Sequence, residues 1–369
     1  PWLSETFLPR HIRIGIEVST IFFLLLVHFN RKYISIDMFW YIPILLAYIF
    51  IACLETSYPS QLISSLFKFT FLILAIGFFI KNQRFLQKSL NVWIAISYLL
   101  CIMTIISFIA FNTKLITFYP SNLVDLKGGN EVASSRFLYN DFFGIISPRK
   151  LFGMYFGRAS SFMIEPGLLS FYFGFNIIIA KDWIKDISSR KKFVLLNIVG
   201  GIVTISSTFF IFFSFYFLIN QLKKKKNIQS MILNKRFIFF LILLFIIYVS
   251  IFDLNYLNQT SGTRRLKDIM IYLPLIIDNT LLSFLFGNGI GITSENFNIG
   301  ISSGLLRIFI EQGAVFLIIL VTLFAKLTIH NYWLMIYIFS CQFVLSTFFS
   351  PLFLFLICLS YACSYTKNK

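Results

Sequence analysis

The sequence predicts an all-α, polytopic integral membrane protein. Of the 369 residues 58% are hydrophobic, and the mean hydropathy is +0.82. Apolar runs of roughly twenty residues recur from end to end, which is the length that a helix needs to cross a bilayer core. No polar stretch is long enough to bury a core of its own. We therefore expect one membrane domain over residues 1–369, without a separate soluble domain.

The apolar runs predict about eleven transmembrane segments. They lie at residues 12–29, 39–54, 62–80, 91–111, 161–180, 193–220, 236–252, 304–325, 331–347 and 351–363, of which 193–220 counts twice. Lysine and arginine favour the cytoplasmic side of a membrane. The basic stretches predicted to be cytoplasmic are 30–38, 81–90, 181–192 and 223–236.

The run 193–220 is flanked by basic residues at both ends. Both ends are therefore assigned to the cytoplasm, and the run must cross an even number of times. We expect a short helical hairpin with its tip at 200–208; one long helix with a misleading charge at one end is the alternative.

Two longer polar stretches, 112–160 and 253–303, are expected on the opposite side of the membrane. Loops of this length are usually functional. The first is expected to contain short helices lying on the membrane. Within the second, apolar residues recur at three- and four-residue spacing, which predicts an amphipathic interfacial helix that ends at Phe286.

The net charge of +17 bears on the class of partner. Part of it suits contact with the anionic headgroups of membrane lipids, and the remainder leaves room for an anionic ligand. The basic residues are dispersed in short loops, which argues against nucleic-acid binding. The five cysteines lie in apolar segments without metal-type spacing, so neither a metal site nor a cofactor is expected.

The first candidate site residues are Arg158 and Glu165, which flank the entrance to an apolar run. An ionisable residue at a membrane edge is a functional candidate by default. Pro166 suits the first position of a helix, which places Glu165 at the positive end of the helix dipole. A membrane-helix entrance with an interfacial arginine and a capping glutamate is the plainer interpretation.

Further arginines lie in or beside the second polar stretch. Arg307 and Glu311 are four residues apart and share one helix face, so they suit either substrate binding or a mutual ion pair. Arg264 and Arg265 point about 100° apart on a helix, so one faces a cavity and the other reaches the headgroups, unless both only anchor the helix. Arg136 lies in the first polar stretch.

Several arginines meeting at one cavity suit a diphosphate, because the guanidinium fork matches phosphate oxygens. Gly287 and Gly289 are candidates for an anion-binding nest, with a plain turn as the alternative. The sequence contains no P-loop, and no Asp-x-Asp pair lies in either polar stretch. An enzyme of this kind would stabilise a leaving diphosphate with arginines and deprotonate the attacking hydroxyl with a carboxylate.

These residues resemble the motifs of a known superfamily. The Arg158…Glu165-Pro166 segment resembles the Arg…Glu-Pro element of bacterial O-antigen and capsule polymerases (Wzy). Ser206-Ser207-Thr208 is similar to the Ser-x-Ser-Arg element of the wider polymerase and ligase superfamily. Thr263-Arg264-Arg265-Leu266, together with Phe286-Gly287-Asn288-Gly289, is similar to its Ser-Arg-Leu…Gly-x-Gly element. Glu311-Gln312-Gly313 is similar to its Glu-x-Gly element. Ligases carry His-Asn before the last element, where this chain has Ser302-Ser303, and this departure favours polymerase.

The resemblance implies a GT-C-like bundle in the bacterial inner membrane, with its active site facing the periplasm. The implied reaction moves a growing glycan from undecaprenyl diphosphate onto the sugar hydroxyl of a new lipid-linked repeat unit. A Wzz-type chain-length regulator is the implied partner. Glu165 is the first candidate for the catalytic carboxylate and Glu311 the second. The candidate substrate-binding residues are Arg158, Arg264, Arg265, Arg307, Gly287, Gly289 and Arg136.

Two other functions compete with this one. An O-antigen ligase would transfer the glycan to lipid A core. The second competing function is that of a polysaccharide flippase or other transporter, which is not an enzyme. Transporters usually show internal repeats, and none is evident between the two halves of this sequence.

Overall fold

The computed structural model of the chain describes residues 59–120, 138–140, 144–151, 154–161, 163, 166–206, 209–210, 212–214, 216–217, 281–289, 303–342 and 350–367. These residues are mostly helical. Two of the helices, Gln83–Asn112 and Gly304–Thr328, are long and apolar enough to cross a membrane. The predicted spans 12–29, 39–54 and 236–252 lie outside the described residues.

The chain divides into two compact units. Pro1–Asn91 and Ser261–Lys369 form one, the terminal unit, and Val92–Thr260 form the other, the central unit. The described helices are α1 (Pro59–Lys81), α2 (Gln83–Asn112), α3 (Pro166–Trp183), α4 (Ile187–Val203), α5 (Leu281–Phe286), α6 (Gly304–Thr328), α7 (Tyr332–Gln342) and α8 (Pro351–Lys367). The described strands are β1 (Tyr119–Pro120), β2 (Leu138–Asn140), β3 (Gly144–Leu151) and β4 (Met154–Ser161).

The stretch 81–90 is helical apart from a break at Asn82, which alone separates α1 from α2, and its cytoplasmic position stays a prediction. The Asn82 N–H donates to the Phe78 carbonyl, and the Asn82 carbonyl accepts from Leu86 N–H. Leu86 and Leu90, four residues apart, are buried. The charged residues here are good helix formers, and one apolar face is enough to extend the helix back to Gln83.

The stretch 112–160 contains a four-stranded antiparallel sheet in the order β1-β2-β3-β4. Helices were expected here, and over 144–151 and 154–161 that expectation is wrong. β3 and β4 pair from Ile145 with Ser161 to Leu151 with Met154, with a bulge between Ile145 and Ile146. Proline at 148 disfavours a helix, and paired strands satisfy the backbone of this loop instead.

Helix α3 begins at Pro166, as predicted, and nearly all of its side chains are buried. Asp186 caps α4, because its Oδ2 accepts a 2.7 Å hydrogen bond from the Ser189 N–H. That backbone hydrogen bond lowers the pKa of the Asp186 carboxyl. Helix α4 ends at Val203, and Thr204 and Ile205 form a turn inside the predicted hairpin tip. The residues that would test a return crossing lie mostly outside the described part.

A network of buried amides joins three helices of the central unit. Asn176 on α3 accepts from Trp93 Nε1 on α2 at 2.9 Å. Its Nδ2 donates to Ser97 Oγ at 3.0 Å and to Asn197 Oδ1 on α4 at 2.9 Å. Asn197 Nδ2 donates in turn to the Phe193 carbonyl at 2.8 Å. These side chains are at most 3% exposed. Inside an apolar bundle, the oxygen and the nitrogen of the Asn176 amide therefore both have hydrogen-bond partners within the protein.

The terminal unit is packed by aromatic rings and a few polar contacts. Helix α1 packs on α8, while α6 packs on α5, α7 and α8. Phe69 on α1 meets Phe316 on α6 edge to face, with the ring centroids 6.2 Å apart. Ser303 Oγ caps α6 through the Leu306 N–H at 3.4 Å.

Replacing Asn176 by leucine, which is similar in size, should destabilise the protein by about 1–3 kcal/mol, because Trp93 Nε1 and Asn197 Oδ1 would lose their partner while buried. The measurement is the unfolding midpoint of the purified protein in detergent. Asn91→Leu is the matched control, since Asn91 is exposed on α2 and should change little. Equal midpoints for the two variants would contradict this account of the network.

Candidate functional site

Arg158 lies near the middle of β4 in the central unit, opposite Ser147 of β3. The residue is half-buried, and its Nη2 donates to Ser147 Oγ at 3.2 Å. The sequence placed Arg158 at a helix entrance; the structure places it on a strand just before one. Ser147 was missed as its partner, because nothing in the sequence indicates the register of two strands.

The residue before Arg158 is tied to the end of α2. Gly157 N–H donates to Asn112 Oδ1 at 3.0 Å, and Asn112 Nδ2 lies 3.4 Å from the Gly157 carbonyl. A Cβ at position 157 would overlap the ring of Phe111. Only glycine allows the strand to come this close to the helix. These contacts fix the backbone from which Arg158 projects.

The chain turns at the end of β4. Met163 N–H donates to the Ser160 carbonyl at 2.9 Å, and Ser161 has a φ of 50°, which is a left-handed conformation that is uncommon for serine. Ser160 Oγ donates to the Ile145 carbonyl at 3.0 Å. Three residues after Met163 the chain enters α3. Glu165, the first candidate base, lies outside the described residues.

Arg307 and Glu311 form an ion pair on α6 of the terminal unit. Arg307 Nε lies 3.2 Å from Glu311 Oε2, the pairing that their four-residue spacing predicts. The Arg307 side chain is 35% exposed, whereas that of Glu311 is 3% exposed. The Arg307 side chain is therefore accessible to a ligand, whereas the Glu311 carboxylate is buried. Their roles toward a substrate stay predictions.

Helix α6 is interrupted directly after this pair. Gly313 has φ 78° and ψ 175°, so the helix is kinked there, and an interruption of this kind frees carbonyls from the helical ladder. The loop after α5 supplies donors to two of them. Asn288 N–H donates to the Ile310 carbonyl at 2.9 Å, and Gly289 N–H donates to the Glu311 carbonyl at 3.1 Å.

This contact between the α5 loop and α6, which we call the glycine clasp, requires glycine on both sides. A Cβ at Gly287, whose φ is 86°, would overlap the backbone of Glu311 and Gln312, and a Cβ at Gly313 would overlap the backbone of Leu285 and Gly287. The Gly287 N–H donates to the Ser283 carbonyl at 2.8 Å. In this conformation the amides of Gly287 and Gly289 serve the fold, and their use for an anion stays a prediction.

Gln312 lies between Glu311 and the kink and is only 5% exposed. Within the described part of the chain, its Oε1 is buried and accepts no hydrogen bond. Leaving such an acceptor unsatisfied costs about 1–3 kcal/mol. Nothing in the sequence indicates a role for Gln312, since a glutamine between two motif residues carries no signal of its own.

Arg136, Arg264 and Arg265 lie outside the described residues, so their assignment to the site stays a prediction. Among the residues that the structure describes, no three His, Cys, Asp or Glu side chains are grouped to hold a metal ion.

Comparison of the chain with protein-family models, with curated proteins and with solved structures finds no significant match.

Gly313→Ala should unfold the glycine clasp, because alanine disfavours this backbone conformation by about 1–3 kcal/mol and its Cβ has no space. The expected result is a lower unfolding midpoint in detergent. Gly304→Ala serves as control, since Gly304 is helical within the same helix and its φ is not positive. Wild-type stability of Gly313→Ala would mean that the α5 loop does not approach α6 this closely.

Proposed function

We propose that the protein is an O-antigen or capsule polysaccharide polymerase of the bacterial inner membrane, with a GT-C-like bundle of about eleven spans and an active site facing the periplasm. The observation that carries the proposal is the Arg307–Glu311 pair beside the glycine clasp. It joins a half-exposed guanidinium, a buried carboxylate and an interrupted apolar helix. Interrupted membrane helices and ionisable residues within them are typical of substrate sites.

The reaction needs one bond made and one broken. The acceptor hydroxyl oxygen attacks the anomeric carbon of the growing glycan, and the bond from that carbon to the diphosphate oxygen breaks. Undecaprenyl diphosphate leaves with the electron pair, and the hydroxyl proton passes to a carboxylate. Arginines suit the leaving group because their forks bind phosphate oxygens in pairs and remain charged.

The two carboxylates lie in different settings. Glu311 is buried and forms an ion pair with Arg307. Glu165 directly precedes α3, whose N-terminus favours a carboxylate. An ionised carboxylate orients an attacking hydroxyl and accepts its proton if it lies within hydrogen-bond reach. Glu165 remains the first candidate and Glu311 the second.

Deletion of the gene separates polymerase from its competitors. A polymerase mutant should make lipopolysaccharide or capsule precursors that carry a single repeat unit. A ligase mutant should instead accumulate long lipid-linked polymer, and loss of a flippase should leave repeats on the cytoplasmic side. Either of the latter phenotypes would overturn the proposal.

Arg158→Ala, expressed in the deletion strain, should lower polymer formation about 10²-fold or more, the scale for removing one electrostatic stabiliser of a transition state. Arg158→Lys should rescue only in part, because lysine lacks the planar fork. Arg190→Ala is the matched control in the stretch predicted to be cytoplasmic. The measurement is polymer length at equal protein level, and full activity of Arg158→Ala would remove this residue from the site.

Glu165→Gln and Glu311→Gln, compared side by side, should identify the base. Glutamine keeps the size and polarity but takes no proton, so the variant of the true base should lose about 10²-fold or more in turnover while it still binds substrate. Purified protein with lipid-linked repeats provides the assay, and Asp186→Asn is the control carboxylate. Near-normal turnover of Glu165→Gln would move the assignment to Glu311.

A further inference from the structure

The corner between α3 and α4 in the central unit is strongly basic. Residues 181–192, which we call the basic corner, carry five cations and two carboxylates. Asp186 is already engaged, because it caps α4 and interacts electrostatically with Lys192. The exposed lysines besides Lys192 are Lys181, Lys185 and Lys191. The basic corner therefore presents a surplus of positive charge to its surroundings.

Helix α4 changes character along its outer face. After Lys192 the next exposed residues of the helix are Leu195 and Ile202, which are 62% and 45% exposed, while the opposite face around Phe193 is buried. From Lys191 to Ile202 the helix rises about 16 Å at about 1.5 Å per residue. This rise is roughly half of the ~30 Å hydrocarbon core of a bilayer. The outer face thus passes from charged to apolar over the depth of one leaflet.

Helix α2 continues the apolar surface. Asn176 bonds to Ser97 on α2 and to Asn197 on α4, and a Cβ at Gly200 would lie 3.3 Å from Cys101 Sγ. The two helices therefore run in the same direction away from the basic corner. Beyond the level of Asn176 the exposed large apolar residues are Leu99, Ile102, Ile106 and Ile109 on α2 and Ile202 on α4. Such side chains are unfavourable against water and favourable against acyl chains.

We propose that the basic corner binds the anionic headgroups of one membrane leaflet, while the outer faces of α4 and α2 contact the acyl chains. Lys181, Lys185 and Lys191 supply the charge, because an ammonium on a flexible stem follows phosphates that are not fixed in place. A leaflet presents many separate phosphates, so these lysines need not converge on one anion. Ile187 is exposed within the same corner, and apolar side chains among cations suit a lipid surface better than a nucleic acid.

The first test adds phosphatidylglycerol, or phosphatidylcholine with the same acyl chains, to the full-length protein in neutral detergent and measures the unfolding midpoint. A ligand of the folded protein raises this midpoint, and phosphatidylglycerol should do so at the lower mole fraction. The triple variant Lys181→Gln/Lys185→Gln/Lys191→Gln should need about tenfold more of it or beyond, since one cation near an anionic surface contributes roughly fivefold. Equal responses to the two lipids, or an unchanged response of the triple variant, would overturn the proposal.

Control variants separate charge from position. Arginine at the same three positions keeps the charge and should keep the wild-type response. Lys114 is exposed just beyond the C-terminal end of α2, at the end away from the basic corner. Lys191→Gln should raise the required mole fraction of phosphatidylglycerol roughly fivefold, whereas Lys114→Gln should leave it unchanged. Equal effects of these two single changes would mean that only total charge matters, which contradicts a local surface.

Water-soluble anions distinguish a membrane from other acidic partners. Inorganic phosphate and polyglutamate, added in place of lipid, should stabilise the protein much less than phosphatidylglycerol, because neither provides acyl chains for the apolar faces. Stabilisation by either one as large as that by the lipid would indicate a soluble partner and reject the proposal.

The second test locates the acyl chains. Leu195→Trp and Ile202→Trp each place a fluorophore on the outer face of α4, and phosphatidylglycerol with brominated chains quenches a tryptophan that it contacts. The fluorescence that each variant gains over wild type should be quenched in bilayers of this lipid. Unquenched fluorescence at either position would mean that something other than lipid covers the face, against the proposal. Neither test uses a polysaccharide substrate, so the proposal and the polymerase function stand or fall separately.

Discussion

Neither a packed apolar core nor a bilayer offers hydrogen bonds to the backbone, so each N–H and C=O group in so apolar a chain must find its partner within the protein. Helices meet this requirement with local bonds. Where a helix is interrupted or ends, other parts of the chain have to supply these hydrogen bonds. At Asn82 the ladder continues across a one-residue break, and at the kink after Gln312 a separate loop provides the donors. Where the chain leaves helical structure near Arg158, strands pair with one another instead.

The glycine clasp restricts which residues the sequence can carry at two positions. Two backbones approach closely enough to exclude any Cβ, at Gly287 and at Gly313, and each glycine is needed because of the other. The result is a kink at which the loop after α5 supplies hydrogen-bond donors to the Ile310 and Glu311 carbonyls. The bend occurs one residue beyond the glutamine and two beyond the buried carboxylate, so these two polar residues lie directly before the kink.

Local features of the fold followed from the sequence. Pro166 begins a helix, Phe286 ends one before a glycine, and Arg307 pairs with Glu311 one helical turn away. Proline geometry, glycine and helical periodicity each act over only a few residues, so these features can be read locally. The strands around Arg158 did not follow, since strand pairing is decided by contacts far along the chain. The clasp was invisible for the same reason: Gly313 alone reads as a weak helix position, and only its neighbour Gly287 explains it. The Asn176 network was missed because a single asparagine in an apolar run gives no hint of its partners.

The attachment of β4 to α2 makes the position of the strand depend on the length of that helix. Trp93, about a third of the way along the helix, bonds to Asn176 on α3, and Asn112 at its C-terminal end bonds to Gly157, beside Arg158. Between these anchors α2 measures roughly 28 Å at about 1.5 Å per residue. The position of Arg158 relative to Asn176 is therefore set by the number of α2 residues between Trp93 and Asn112. One residue added between the anchors would shift the strand by about 1.5 Å and swing it by about 100°, so the length of this helix is constrained even where its individual side chains are interchangeable.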